Sequence, residues 1–294
     1  MRTTDKGYIL FKGHKVYYKI FGKTTDGKLP LLVLHGGPGG AHNYMLGLAK
    51  LAEQGRQVIF YDQIGSGLSD HPNDASLWKI KTFVDEVGEV RRQLGLDELH
   101  ILGHSWGGML AIEYLLTKPE GVHSVILASS MISMPLYQHE VDKLKKDLPP
   151  KVYATLKSHE SNGTTDSDEY AKAVSVFWKR HGYRGSKLPK LLQRPKELKI
   201  GDAYDRMWGP SEPFANGTMK DWDRIDNLKY ITIPTLITSG QYDELTPEQV
   251  VITHDQIPNS QLKIFTAASH CAHIEVEAEY LAAVNMFLHD VEKA

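Results

Sequence analysis

Six short apolar runs restrict what this chain can fold into more than any other feature. They are "LPLLVLH" (29–35), "QVIFYDQ" (57–63), "LHILGHS" (99–105), "HSVILASS" (123–130), "IPTLITSGQYD" (233–243) and "QLKIFTAASH" (261–270). The runs are nearly continuous rather than cleanly alternating, which is the pattern of strands buried on both faces of a parallel sheet. Helical spacing fills the intervals. Ile80, Phe83, Val84, Val87, Val90 and Leu94 share one face of residues 79–94, "GMLAIEYLLT" covers 108–117, and 277–290 predicts a closing helix. Alternation of this kind predicts a doubly wound α/β core with a mostly parallel central sheet and helices on both faces. Ahead of it, "YILFKGHKVYYKIFG" alternates around Gly13 and predicts a β-hairpin.

From Met131 to Leu228 no comparable buried strand occurs. "LYQHEVDKLKKDL" and "DEYAKAVSVFWKRHGY" have helical spacing there, separated by the polar "SHESNGTTDSD". We therefore expect a core made of 1–130 and 229–294, with 131–228 inserted as a helical cap. Its expected place is over the C-terminal edge of the sheet, where open α/β sheets put their ligand sites.

Composition removes several classes of function. A chain of 294 residues, 41% hydrophobic and 24% charged, can build a full core. A net charge of −2 gives no electrostatic reason for binding nucleic acid or an anionic membrane. The single cysteine, Cys271, rules out an internal disulfide, and no apolar stretch is long enough for a signal peptide or a membrane span. A cytoplasmic protein, monomeric or a small homo-oligomer, is expected.

The chemistry is concentrated in "HILGHSWGGML" (100–110). Gly103-His104-Ser105-Trp106-Gly107 fits G-x-S-x-G, with an apolar run before it and a helical pattern after it. Such a serine sits in a strained strand-to-helix turn, and the flanking glycines let neighbouring backbone approach. A serine hydroxyl needs a base to take its proton and an acid to orient that base. Downstream, Asp243 follows one predicted strand and His270 follows the next, at the same sheet edge as Ser105. His273 is the rival base, and Glu244 and Glu248 are rival acids. The oxyanion of acyl transfer needs two N–H donors. The amide of Trp106 supplies one, and Gly37 or Gly36 of "HGGPGG" (35–40) the other. "GSGLSD" (65–70) is not a dinucleotide fingerprint, and His270, Cys271, His273 and Glu275 lack a metal-site motif. Neither cofactor nor metal is expected. Cys271, beside the base, suggests sensitivity to thiol reagents.

"HGGPGG", "YDQIGSGLSD", "GHSWGG", "GQYDELTP" and "ASH" follow the order and rough spacing of the proline iminopeptidases, a family of the α/β-hydrolase fold. The chain resembles that family over almost its whole length. It is most similar to the tricorn-interacting aminopeptidase branch, with Gly209-Pro210-Ser211-Glu212 in the insertion and "YDELTP" after the acid strand. The resemblance implies Ser105, Asp243 and His270 as the triad, and Gly37 and Trp106 as the oxyanion hole. It also implies Glu212 and Glu244 as carboxylates that hold the substrate's free α-ammonium. Charge-assisted hydrogen bonds of that kind tell an amine from an amide.

The expected activity is a serine exopeptidase that releases an N-terminal residue, proline among the candidates, from short peptides or aminoacyl amides. The alternatives are an amidase or esterase on a non-peptide aminoacyl conjugate, and, in another class, a ligand receptor of the same fold.

Overall fold

The apolar runs pair into one eight-stranded sheet, seen in a computed structural model that describes residues 3–25, 27–193, 198 and 202–294. Its strands are β1 (Thr3–Phe11), β2 (His14–Phe21), β3 (Leu31–Leu34), β4 (Val58–Tyr61), β5 (Leu99–His104), β6 (Val122–Ala128), β7 (Thr235–Gly240) and β8 (Ser260–Phe265). They lie in the order β1-β2-β4-β3-β5-β6-β7-β8. The predicted hairpin β1–β2 joins β4 antiparallel, and every other pairing is parallel.

Every residue of β3, β4, β5 and β7 is buried, because helices cover both faces. Leu32, Leu34, Ile59 and Ile101 face α1 (Ile80–Leu94) and α2 (Trp106–Leu116), where they meet Phe83, Val87, Met109 and Leu110. Leu31, Val33, Phe60 and Leu102 point the other way. They pack with Met45 and Leu48 of a 3-10 run (His42–Gln54) and with Val284 and Phe287 of the closing helix. Successive strand residues therefore enter two different cores, as period-two geometry requires.

Between β6 and β7 the chain leaves the sheet. It forms α3 (Met134–Lys146), α4 (Pro150–Asn162), α5 (Asp168–His181), a π-turn (Tyr204–Trp208) and a 3-10 turn (Ile225–Tyr230) before re-entering beside β6. Residues 194–197 and 199–201 of the expected insertion lie outside the described residues. The return is anchored on α2, where Glu113 accepts from Trp222 Nε1 and pairs with Arg224 at 2.7 Å. After β7 come α6 (Pro247–Gln256), the short α7 (Ala272–Glu275) and α8 (Glu277–Lys293).

Two strands end earlier than the apolar runs suggest. β7 stops at Gly240 and β8 at Phe265, and residues 266–271 form a turn packed on β7's end. Tyr242 N donates to Ala268 O at 3.0 Å, and a side chain on Gly240 would collide with the Ala268 backbone. Among the described residues no helix is long and apolar enough to cross a membrane.

Candidate active site

β5 ends at His104 and α2 begins at Trp106, so Ser105 alone makes the corner. Its φ of 55° and ψ of −124° hold a non-glycine residue in backbone space that costs about 1–3 kcal/mol. The corner closes because a Cβ on Gly103 would strike the Gly107 carbonyl and one on Gly107 would strike that of Leu34. Ser105 N donates to Ala128 O at 2.9 Å, and Ser130 Oγ donates to Ser105 O at 3.1 Å. Both bonds hold the strained residue from β6 and the segment after it.

Asp243 and His270 meet at the same edge. His270 Nδ1 lies 2.9 Å from Asp243 Oδ1. Asp243 is completely buried apart from a trace of exposure, and it is well solvated by the protein. Leu245 N donates to Oδ1 and Ser239 Oγ to Oδ2, each at 3.0 Å. His270 and Ser105 line one cavity of about 320 Å³, together with Gly37, Trp178, Tyr204 and Glu212. A volume of that size suits a small ligand.

His273 is turned away. It packs on Tyr44, His104 and Tyr280, and burial pushes it down to about 3, with His270 adding to the shift. Glu248 is exposed in the first turn of α6. The structure thus joins His270 and Asp243 and leaves both of those rivals outside.

The carboxylates converge from two parts of the chain. Glu212, from the insertion, opens onto the cavity. Glu244 does not. It is completely buried behind, with Oε1 3.7 Å from His270 Nδ1, and neither of its oxygens has a hydrogen-bond partner among the described residues. The Tyr137 hydroxyl beside it donates to the Glu212 carbonyl oxygen at 3.0 Å. Burial pushes Glu244 up to about 8, opposed by His270 and reinforced by Glu212 and Asp243. Burial likewise raises Glu212, against the pull of His270 and the Tyr204 hydroxyl. For His270, burial disfavours the cation, yet Asp243, Glu244 and Glu212 outweigh it and lift the imidazole to about 9.

Sequence reasoning missed the side chains that hold these parts together. Gly36 N donates to the Tyr44 hydroxyl at 2.7 Å, so that hydroxyl gives its proton to His104 Nδ1 at 2.9 Å. His104 therefore carries its own proton on Nε2, which donates to the His270 carbonyl oxygen at 3.0 Å. Burial, helped by His270 and His273, keeps His104 neutral by pushing its pKa well down. With the Gly36 amide engaged, Gly37 is the remaining glycine of the pair.

Gln63, inside the "YDQIGSG" motif, ties the same loop to the elbow. It donates from N to His35 Nε2 at 3.0 Å and from Nε2 to His35 O at 2.9 Å, and accepts from Trp106 Nε1 at 2.8 Å. The base loop is held from the insertion: His270 N donates to His181 O at 3.0 Å and Cys271 N to Gly182 O at 3.1 Å. Cys271 is buried, and burial raises its thiol well above the usual range. Cys271 lines the same cavity, but a thiol held protonated lacks the thiolate character that reaction needs, which argues against the expected thiol-reagent sensitivity.

Fold and site define a serine hydrolase. Residues 30–276 match the alpha/beta hydrolase fold family. The chain is 44% identical to the proline iminopeptidase of Heyndrickxia coagulans over 97% of its own length and 99% of that protein's. It is also similar to the crystal structure of the proline iminopeptidase of Mycobacterium smegmatis, with a TM-score of 0.88 and 36% identity over 98% and 99% of the two chains. The crystal structure of VinJ superposes with a TM-score of 0.92 at 32% identity, over 99% of this chain and all of that one. The chain belongs to the proline iminopeptidase family of α/β-hydrolases.

Proposed function

We propose that the protein releases an N-terminal residue, proline foremost, from short peptides and aminoacyl amides by way of an acyl-enzyme. The observation that carries this reading is the pair of carboxylates, Glu212 and Glu244, gathered around the base beside the cavity that holds Ser105. A general esterase has no use for buried negative charge at that point, whereas a substrate ammonium cancels it. Proline as the favoured residue is supported by the relatives, which bear the name proline iminopeptidase.

In this mechanism the Ser105 hydroxyl attacks the scissile carbonyl while His270 takes its proton through Nε2. Asp243 accepts from Nδ1, holds the tautomer and stabilises the imidazolium. The Trp106 amide, in the first turn of α2 and so without an intrahelical acceptor, and the Gly37 amide receive the oxyanion. The imidazolium then gives its proton to the departing amine, and a water activated by His270 releases the amino acid. Glu212 touches the substrate ammonium, whose positive charge opposes the burial-driven rise of Glu244 behind it and favours that group's ionised form.

Residues 131–228 act as a cap that admits a short chain end and excludes a polypeptide's interior, which supports exopeptidase behaviour. A cytoplasmic location completes the reading, supported by a chain with one cysteine. The test is chromophore release from prolyl and alanyl anilides, each with its amine free and acetylated, with Ser105→Ala as blank. Cleavage confined to free amines and absent in the variant is expected. Equal cleavage of acetylated substrates would refute the ammonium assignment.

A further inference from the structure

Glu212 is carried by a loop in which Pro210 and Pro213 lack amide protons, and one isolated bridge, Ser211 to Phe214, spans it. Side chains of the insertion hold that loop by three successive carbonyls. Trp208 Nε1 donates to Ser211 O at 3.1 Å, the Tyr137 hydroxyl to Glu212 O at 3.0 Å, and Lys145 Nζ to Pro213 O at 3.1 Å. Tyr170 adds a bond to the Ser211 hydroxyl at 2.7 Å. The Glu212 side chain meanwhile opens onto the cavity that holds Ser105.

Lys145 differs from the other two donors in carrying a charge into the interior. Its side chain is 4% exposed, with Nζ 3.0 Å from the buried Glu160 of α4 and 2.8 Å from Asp142, one turn earlier in α3. Those two carboxylates and the Pro213 carbonyl use all three ammonium protons. A buried ion pair adds little stability over a well-packed apolar pair of the same volume. What the ammonium does add is a charge-assisted bond to one carbonyl, stronger than a neutral donor would make. We propose that Lys145 is a positioning residue for the substrate amine, fixing through the Pro213 carbonyl the backbone from which Glu212 reaches the cavity. Lys145 is not in the lining of that cavity, so it acts only through the loop. The proposal rests on the amine-binding reading above. Amine selection and acyl transfer then have separate supports, since His270 is held by the carbonyls of His181 and Gly182 instead.

The experiment compares prolyl anilide with 4-nitrophenyl cyclopentanecarboxylate, an activated ester of the same ring without its nitrogen. Both are tested on the wild type and on Lys145→Met, which keeps the length of the side chain and removes its charge. On prolyl anilide, kcat/KM should fall about tenfold or more, with a raised KM carrying the larger share. On the ester, kcat/KM should stay within about twofold of the wild type. A double variant, Lys145→Met with Glu160→Leu, leaves no carboxylate buried and unpaired, so its melting temperature should return toward the wild-type value. Its loss on prolyl anilide should persist. A merely structural role for Lys145 predicts the reverse, with activity on the amine recovering alongside stability.

The double variant also decides the matter if Lys145→Met alone does not fold. Equal losses on the two substrates, or no loss on the amine, would overturn the positioning role. Cleavage of prolyl and N-acetylprolyl anilides by the wild type separates that outcome from failure of the reading beneath it. If the wild type prefers the free amine but the variants lose nothing selectively, the amine reading stands and the role of Lys145 is refuted. If the wild type shows no such preference, both fall.

Discussion

Removing one oxygen atom, by Tyr44→Phe, tests whether the oxyanion loop and the base are aligned by one hydrogen-bonded chain. The ring and its packing on His104 and His273 are kept. Two bonds are lost, Gly36 N to Oη at 2.7 Å and Oη to His104 Nδ1 at 2.9 Å. Each leaves a buried polar group behind, at a cost of about 1–3 kcal/mol if nothing replaces the partner. Tyr44 lines the cavity, so a water can reach the vacated position and satisfy one of the two groups. We therefore expect a loss of about 1–3 kcal/mol in urea unfolding.

The kinetic effect follows from what the two groups border. Gly36 precedes the proposed donor Gly37, and His104 donates to the carbonyl of His270 itself. Losing an oxyanion donor outright costs about 100- to 1,000-fold in kcat, so a misaligned one should cost about 10- to 100-fold, with KM little changed. Anilide hydrolysis beside urea titration measures both quantities. Full kcat in a variant destabilised by the expected amount would show that the chain serves stability alone. A variant unchanged in both would refute the reasoning altogether.

Ser105→Gly should abolish turnover and yet raise stability by up to about 1 kcal/mol, because glycine adopts the corner without strain; calorimetric melting checks it. Glu244, at about 8, and His270, at about 9, both hold protons more tightly than in the unfolded chain. Glu244 makes stability decline as pH rises from the ordinary glutamate range to about 8. The His270 contribution is complete below its ordinary value and is lost as pH rises through about 9. Each proton shed lowers ΔG by up to about 1.4 kcal/mol per pH unit. Glu244→Gln should flatten the first part of that slope in melts taken from acid to alkaline pH.

Iodoacetamide should leave the folded enzyme fully active, with mass spectrometry showing Cys271 unmodified until denaturant is added. Glu292 accepts from Lys28 Nζ, Leu29 N and both terminal nitrogens of the completely buried Arg56. Glu292→Ala should therefore cost about 3–5 kcal/mol in chemical denaturation by leaving that guanidinium unpaired.

The central sheet was legible because strands buried on both faces leave unbroken apolar runs, and Ser105, Asp243 and His270 were legible because each follows such a run. The overshoot at "FTAASH" has a local cause: Thr266, Ala267 and Ala268 are small enough to extend an apolar pattern, but the chain turns there to cross Gly240. Tyr44 gave no signal. It lies in a 3-10 run whose buried face is carried by Met45, Leu48, Ala49 and Ala52, it is only half-buried itself, and its importance comes from contacts to residues 8 and 60 positions away. Gln63 stood within a motif whose presence was noticed, but its work of joining His35 to Trp106 exists only once β3, β4 and β5 lie side by side. Glu212 was named through resemblance alone, since no local pattern brings the insertion to His270. That Glu244 lies behind the cavity rather than in its wall is a matter of side-chain packing that spacing does not encode.

The carbonyls of His181 and Gly182 at the end of α5 grip the backbone of His270 and Cys271. This fixes how the inserted region can diverge or be exchanged. An insertion transplanted from a relative with a different pocket brings its own α5 terminus, and with it the cradle of His270. A graft cut between His181 and Gly182 divides that cradle, and one cut before His181 leaves it with the recipient. Substrate preference and catalytic competence are thus inherited together, and the place to join two family members is after residue 182, where the chain has already paid its debt to the base.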